Sequence, residues 1–434
     1  TSADNNTAIG KQALFANTTG ANNVAIGSQS LTANTTASNN TAVGFSSSVA
    51  VTTGCMNTSL GAYSLYASTT GDCNVAIGVD ALFCNNGAAA DGNAAVGFKA
   101  MCKNTTGTLN TAVGKGALQE NTTGACNVAV GVFTLDANTT ASCNTGLGYG
   151  ALSVNTTGAN NTAVGFYSLL ETTTASNNVA VGSLALRLNT TGYGNVATGK
   201  DALYSNTTGI NNTAVGCSAL LENTTAAENT AVGMNTLCKN TTGTSNTAVG
   251  SIALDANTTG DWNVSIGSAA NGAASTGNCN TAVGGAAGNN VTTGSNNTTV
   301  GYIAGTDAVR TISSGNNEIV IGNNSNVGAY IKIDWTVTSD LRDKTNIEEV
   351  PHGLDFVNQL NPIKYRFKTS RENDTPTGAT RYGFKAQEIL ALEGDNPILV
   401  NNEDTDNLKL TGAYLVPVLV NAIKELKAEI ELLK

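Results

Sequence analysis

Proline is missing from the first 322 of the 434 residues; all five, Pro351, Pro362, Pro376, Pro397 and Pro417, fall in the last 112. Charge is scarce over the same stretch, with eight Lys/Arg and fourteen Asp/Glu, against thirty charged residues in the remainder. The two compositions change together, which sets a domain boundary between Gly322 and Ser339. The formal charge is −10 and no Lys/Arg cluster stands out, which argues against a nucleic-acid backbone as partner. No run of about 18 apolar residues occurs, so no helix able to cross a membrane is expected. The nine cysteines all lie before residue 322 and none has the spacing of a zinc site; neither a metal nor a cofactor is expected. No signal peptide is visible, and Thr1 opens in mid-pattern without a methionine. The expectation is a fragment whose upstream attachment region is missing.

What fills the proline-free stretch is a repeat. NTAVG or a close variant returns every 17 residues, its glycine falling at Gly10, Gly27, Gly44, Gly61 and Gly78, then at Gly97 and on to Gly301. An insertion of two residues near Gly87–Gly92 is the one slip in phase over these eighteen copies. One unit reads N-T/V-A-V/I-G-x-x-A-L-x-x-N-T-T-G-x-N. A short fixed period means stacked coils, so residues 1–322 are expected to form a β rod of roughly 85 Å at about 4.8 Å per coil. The asparagine four residues before each glycine, Asn6 to Asn297, is expected to form an amide ladder while holding a turn.

The alternation in Thr41-Ala42-Val43-Gly44 places β-branched and small residues on opposite strand faces. Val43 and its equivalents are expected inside the coil, with Ala42 and Gly44 facing a neighbouring chain. The leucine four residues after the glycine (Leu14, Leu31, Leu65 and their equivalents) supplies one large apolar group per coil. Asn271, Gly288 and Gly305 replace it in the last three copies, where the packing is expected to change. Asn-Thr-Thr-Gly reads as turn chemistry, with Gly or Asn taking positive φ; the glycosylation sequons it creates are a by-product of the repeat. Cys55 with Cys73, Cys84 with Cys102 and Cys126 with Cys143 lie in adjacent coils at nearly matching phase, within disulfide reach for Cα atoms. They are read as small apolar residues in a stacked column. So little apolar content per coil calls for lateral association.

The NTAVG and NVAIG units resemble the head repeats of trimeric autotransporter adhesins and repeats of phage tail fibres. That resemblance implies a trimer of β-rolls.

Beyond Gly322 the pattern changes. Residues 323–338 read as a linker and 339–434 as an α+β domain. It contains Ser339-Asp340-Leu341-Arg342-Asp343-Lys344-Thr345-Asn346-Ile347, Asn361-Pro362-Ile363-Lys364-Tyr365-Arg366-Phe367 and Tyr382-Gly383-Phe384-Lys385-Ala386-Gln387-Glu388. Val416, Leu419, Ile423, Leu426, Ile430 and Leu433 step by three and four and predict a closing helix with a coiled-coil seam. Two to three heptads do not hold alone, but they zip chains already brought together. In this order the blocks resemble the intramolecular chaperone of phage endosialidases. The resemblance implies a domain that trimerises, guides assembly of the fibre and cuts itself off between Thr338 and Ser339. Ser339 is then the nucleophile and Lys344 its base. Some members of that family carry a histidine near the third block, where Arg381 and Tyr382 stand here; His352, the chain's one histidine, lies elsewhere.

The reading is a homotrimeric tail-fibre or spike shaft of a phage virion, carrying its own assembly domain. Its expected enzymatic activity is at most self-cleavage by a serine–lysine dyad. A host cell-surface receptor or glycan, and other tail proteins through the missing N-terminal region, are the expected partners. The alternative is a bacterial adhesin-like trimeric fibre that keeps its trimerisation domain permanently. Ice binding through the Thr-Thr pairs leaves the last 96 residues unexplained.

Overall fold

The computed structural model describes residues 3–87, 90–307, 310–326, 338–368, 371–395, 397–403 and 405–434. Two compact units result, Thr1–Gly322 and Asn323–Lys434. Most of the segment read as a linker, 327–337, lies outside the described residues.

The first unit is a parallel β-solenoid with a 17-residue period. Its nineteen three-residue strands run from Thr7–Ile9 (β1) through Val24–Ile26 (β2) and Thr41–Val43 (β3) to Thr298–Val300 (β18) and Ile319–Ile321 (β19). Each strand pairs in parallel with the next at the same register, as in Thr41↔Thr58, Ala42↔Ser59 and Val43↔Leu60. The two-residue insertion leaves the register intact, with Ala76 still opposite Ala95. β19 is a copy the repeat count missed, because it follows a spacing of 21 residues and puts Glu318 in the asparagine's place. The Glu318 amide still donates to Asn297 Oδ1 at 3.0 Å.

The alternation is as expected, but its phase is reversed. Ala42, Ala76 and Ala112 are fully buried, while Leu60, Val113 and Leu147 on the flanking positions are 38–48% exposed. In a three-residue strand only the middle Cβ points inward, and the leucine of the following segment already fills the coil. Leu65, Leu118 and Leu152 all have 0% exposure, so a methyl is what the remaining space takes. Where the leucine is lost, the middle residue grows or turns polar in compensation. Ser48 stands in a leucine position and its hydroxyl meets Ser59 Oγ at 2.8 Å, with Ser47 Oγ 2.6 Å from the same atom. Asn271 donates to Ser265 Oγ at 3.1 Å. Gly305 sits where any Cβ would come within 2.8 Å of Thr299 Cγ2.

The strand glycine is also explained within one chain rather than by a neighbouring one. Gly165 has φ +135°, and a Cβ built on it would lie 2.4 Å from the Gly182 carbonyl oxygen of the next coil. Positive φ does not fall in the Asn-Thr-Thr-Gly turn as expected: neither Asn121 nor Gly124, nor their described equivalents, adopts it, and the left-handed positions lie elsewhere in the coil. Leu118 (51°), Leu152 (54°) and the other leucines of that column adopt it, a conformation retained because the side chain is wholly buried.

The ladder asparagines are buried and carry three bonds each. The Asn144 amide donates to Asn127 Oδ1 (2.9 Å), its Nδ2 to the Gly158 carbonyl (2.9 Å), and its Oδ1 accepts from the Asn161 amide (2.9 Å). A second buried ladder, missed in the sequence, runs through the Asn-Thr-Thr asparagines, with Asn121 donating to Asn104 Oδ1 at 2.8 Å and Asn138 to Asn121 Oδ1 at 2.9 Å. Asn144→Ala strands the buried Asn161 N–H, at about 1–3 kcal/mol, while the Gly158 carbonyl keeps the Asn155 side chain as a donor at 3.0 Å. We expect a clear fall in melting temperature, against almost none for the exposed Thr157→Ala in the same coil, a residue outside the left-handed positions.

One surface of the solenoid is notable for what it lacks. The outward positions of all nineteen strands hold Thr, Val, Ile, Leu or Ala and not one charged residue. An uncharged, half-exposed face therefore runs the length of the sheet.

The second unit is small. Two helices, Leu354–Gln359 (α1) and Ala386–Glu393 (α2), accompany an antiparallel hairpin of Ile363–Lys368 (β20) and Pro376–Gly383 (β21). A short pair, Val400–Asn401 (β22) with Lys409–Leu410 (β23), and an 18-residue helix, Leu415–Leu432 (α3), complete it. Phe356, Ile389, Leu399, Val400, Leu415 and Val418 form its core. Glu425 of α3 accepts from the Leu354 amide at the start of α1 at 2.5 Å, and Asn421 donates to the His352 carbonyl at 3.1 Å. Leu415, Val418 and Ala422 thus bury against the chain's own domain. The seam residues Val416, Leu419, Ile423, Leu426, Ile430 and Leu433 are 43–87% exposed. No helix among the described residues is long and apolar enough to cross a membrane.

Candidate functional site

The segment opening the second family of motifs builds a tight local turn. Asp340, in extended backbone, caps a 3-10 turn at Leu341–Asp343 by accepting from the Arg342 amide at 2.9 Å. The same carboxylate holds the Arg342 guanidinium at 2.6 Å. That hydrogen bond keeps the Asp340 carboxyl below its ordinary range. The turn closes with the Lys344 amide donating to the Leu341 carbonyl at 3.2 Å. Its effect is to fold residue 344 back over residue 339, and Lys344 Nζ donates to Ser339 Oγ at 2.9 Å.

The two residues singled out for the dyad therefore meet, and Thr338, the residue before the expected cut, is exposed beside them. Ser339 and Lys344 are exposed too. A lysine takes a proton from a hydroxyl only after losing its own, which requires removal from water or a cationic neighbour. The contact supplies the reach for proton transfer; a dry environment has to come from elsewhere.

Other candidate residues are engaged away from this turn. The Arg381 guanidinium lies 5.2 Å from the Phe367 ring centroid across the hairpin, Tyr382 is 84% exposed, and the His352 ring stacks on Phe356 at 4.2 Å. No cluster of three or more His, Cys, Asp or Glu placed to hold a metal occurs among the described residues. Sequence reasoning missed Asp340 and Arg342 as the pair that shapes the turn. The Asp-x-Arg spacing ahead of the lysine carried that signal, since an Asp before a short helical turn is a ready cap.

Residues 339–395 match the family model described as the chaperone of endosialidase. The match opens on Ser339 itself and ends before α3, so the seam helix stands outside it. No curated protein and no solved structure matches the chain. The molecule is thus a parallel β-solenoid of 17-residue period followed by a segment of endosialidase-chaperone type.

Proposed function

We propose that this chain is the shaft of a homotrimeric phage tail fibre or spike, and that its C-terminal domain, 339–434, assembles the trimer and then releases itself at Thr338–Ser339. The Lys344–Ser339 contact at the first residue of the chaperone-type match carries the second half of this reading. Two unfilled apolar surfaces support the first half: the uncharged strand face of the solenoid and the exposed seam of α3. Within its own unit each is left uncovered by the described residues, and both suit further copies aligned in parallel.

The assembly logic is physical. Every coil resembles the next, so shafts brought together without a guide pair in wrong registers. A domain that trimerises at one end sets the register, and the shafts zip from there. In the release step Ser339 Oγ attacks the Thr338 carbonyl carbon while neutral Lys344 takes the hydroxyl proton. The proton then goes to the departing Ser339 nitrogen, leaving Thr338 esterified to Ser339 Oγ. Water cleaves that ester and frees the C-terminal piece. Loss of the guide turns the trimer's unfolding into a kinetic problem, because refolding in register no longer has its template. On this reading host recognition falls to exposed side chains of the rod.

The test is to express the whole chain and follow it by denaturing gel and light scattering. Pieces of about 338 and 96 residues, with the larger one trimeric, are expected. An intact trimer would mean a permanently retained clamp, as in the adhesin-like alternative, and an intact monomer would remove the reading altogether. Ile423→Asp sets three carboxylates against one another in the seam without touching the monomer's core, Ile423 being 65% exposed. It is expected to abolish trimer and cleavage together.

A further inference from the structure

The solenoid repeats one left-handed backbone position five residues before each strand glycine. Asn22, Asn39, Cys126, Cys143, Asn160 and Cys279 all occupy it, with φ between 57° and 61°. Side chains in this column touch from coil to coil. Asn5 donates to Asn22, and Asn22 to Asn39, at 3.3 Å; Ser245 Oγ reaches Glu228 Oε2 at 3.3 Å; Asn296 donates to Asn317 at 2.8 Å. Cys126 and Cys143 are neighbours in it, one period apart. Their amides make the same bond, Cys126 N–H to the Thr108 carbonyl and Cys143 N–H to the Ala125 carbonyl, both at 3.0 Å. Their backbones differ by 3° in φ, and both are exposed with free thiols. Coils stacked at about 4.8 Å fall inside the 4.4–6.8 Å window of Cα separations that a disulfide spans.

We infer that Cys126 and Cys143 are an oxidation site, closing an inter-coil disulfide that clasps one turn of the solenoid when the protein meets a small-molecule disulfide. With glutathione disulfide the balance is complete. One cysteine thiolate attacks a sulfur of the reagent and expels a glutathione thiolate. The second cysteine thiolate then attacks the protein sulfur of the mixed disulfide and expels the other. Two S–H bonds of the protein are lost, one S–S bond forms, and the two protons and two electrons leave in two molecules of glutathione.

The remaining cysteines lack this arrangement. Cys73 has Met56 and Gly92 as column neighbours, and Cys279 has Trp262 and Asn296. Cys55 belongs to the adjoining column, where its sulfur accepts from the Ser38 amide at 3.4 Å. Cys84 and Cys102 approach each other out of step by one residue, the Cys84 amide bonding to the Cys102 carbonyl at 2.9 Å. Burial raises both of their thiol pKa values, which slows attack on any disulfide.

The experiment treats the whole folded chain with glutathione disulfide, blocks residual thiols under denaturing conditions, and maps tryptic peptides. Lys115 and Arg187 bound a peptide, residues 116–187, that holds both cysteines. The expected result is loss of two of the nine thiols and a peptide lighter by two hydrogens, abolished in Cys143→Ser. In that variant a glutathione adduct on Cys126 is expected instead, since its partner is gone. Adducts on Cys126 or Cys143 of the wild type, a cross-link between chains, loss of other thiols, or no reaction would each overturn the assignment.

Discussion

Ser339→Ala leaves the chain uncut, and Lys344→Ala does the same or slows cleavage by roughly 10²–10⁴-fold, the usual contribution of a positioned general base. The serine variant removes the attacking oxygen, so no acyl transfer at Thr338 remains. The lysine variant removes the group that donates to that oxygen at 2.9 Å. Lys344→Arg separates a base from a mere cation near the turn. Arginine keeps the positive charge but is never deprotonated in proteins, so it restores nothing if the lysine acts as base. Full cleavage by Lys344→Arg would assign the side chain an electrostatic role. Because both side chains are exposed in the single chain, cutting is expected only in assembled material. Separating species by size before the gel tests this: uncut monomer beside cut trimer is the expected pattern, and equal cutting in both would mean that the turn is competent alone. Asp340→Ala is the milder companion, since it removes the cap that folds Lys344 back without touching the dyad.

Gly165→Ala is expected to destabilise the shaft strongly for a single added methyl. The residue sits at φ +135° with the Gly182 carbonyl oxygen, its carbon and the Ser183 amide 2.4, 2.7 and 3.1 Å from the added Cβ. All of these are backbone atoms of the next coil, so no side chain can move aside. Backbone strain and overpacking together set the cost of opening the stack there at about 2–6 kcal/mol. A solenoid's stability is a sum over coils and nearest-neighbour interfaces. The break should therefore divide one cooperative transition into two, which calorimetry reads directly. Gly116→Ala is the control. At φ +66° its Cβ comes no closer than 3.0 Å to the Phe133 ring, and other coils carry Gln29, Ser46 or Tyr63 at this position. A small shift is expected for Gly116→Ala, and a comparably small shift for Gly165→Ala would refute the glycine column.

The period, the asparagine ladder and the buried leucine column were legible because each depends on a single repeated residue whose chemistry admits one use. An amide recurring every 17 residues has to bond along the stack, and one leucine per coil has to be inside. Which strand face lies inward was not legible. Ala42 and Val43 alternate equally well in either phase, and the choice fell to the space left beside a leucine that approaches from another segment of the coil. The same is true of compensation: Ser59 and Thr299 look like ordinary variants until they are found opposite Ser48 and Gly305. At the site, the sequence named Ser339 and Lys344 through the motif that contains them. Their 2.9 Å contact came from a turn set by Asp340 and Arg342. By itself, then, the sequence determined the stacking, since a strict repeat leaves one way to satisfy its backbone. The tertiary structure decided which surfaces stay uncovered, because burial depends on what the rest of each coil has already filled.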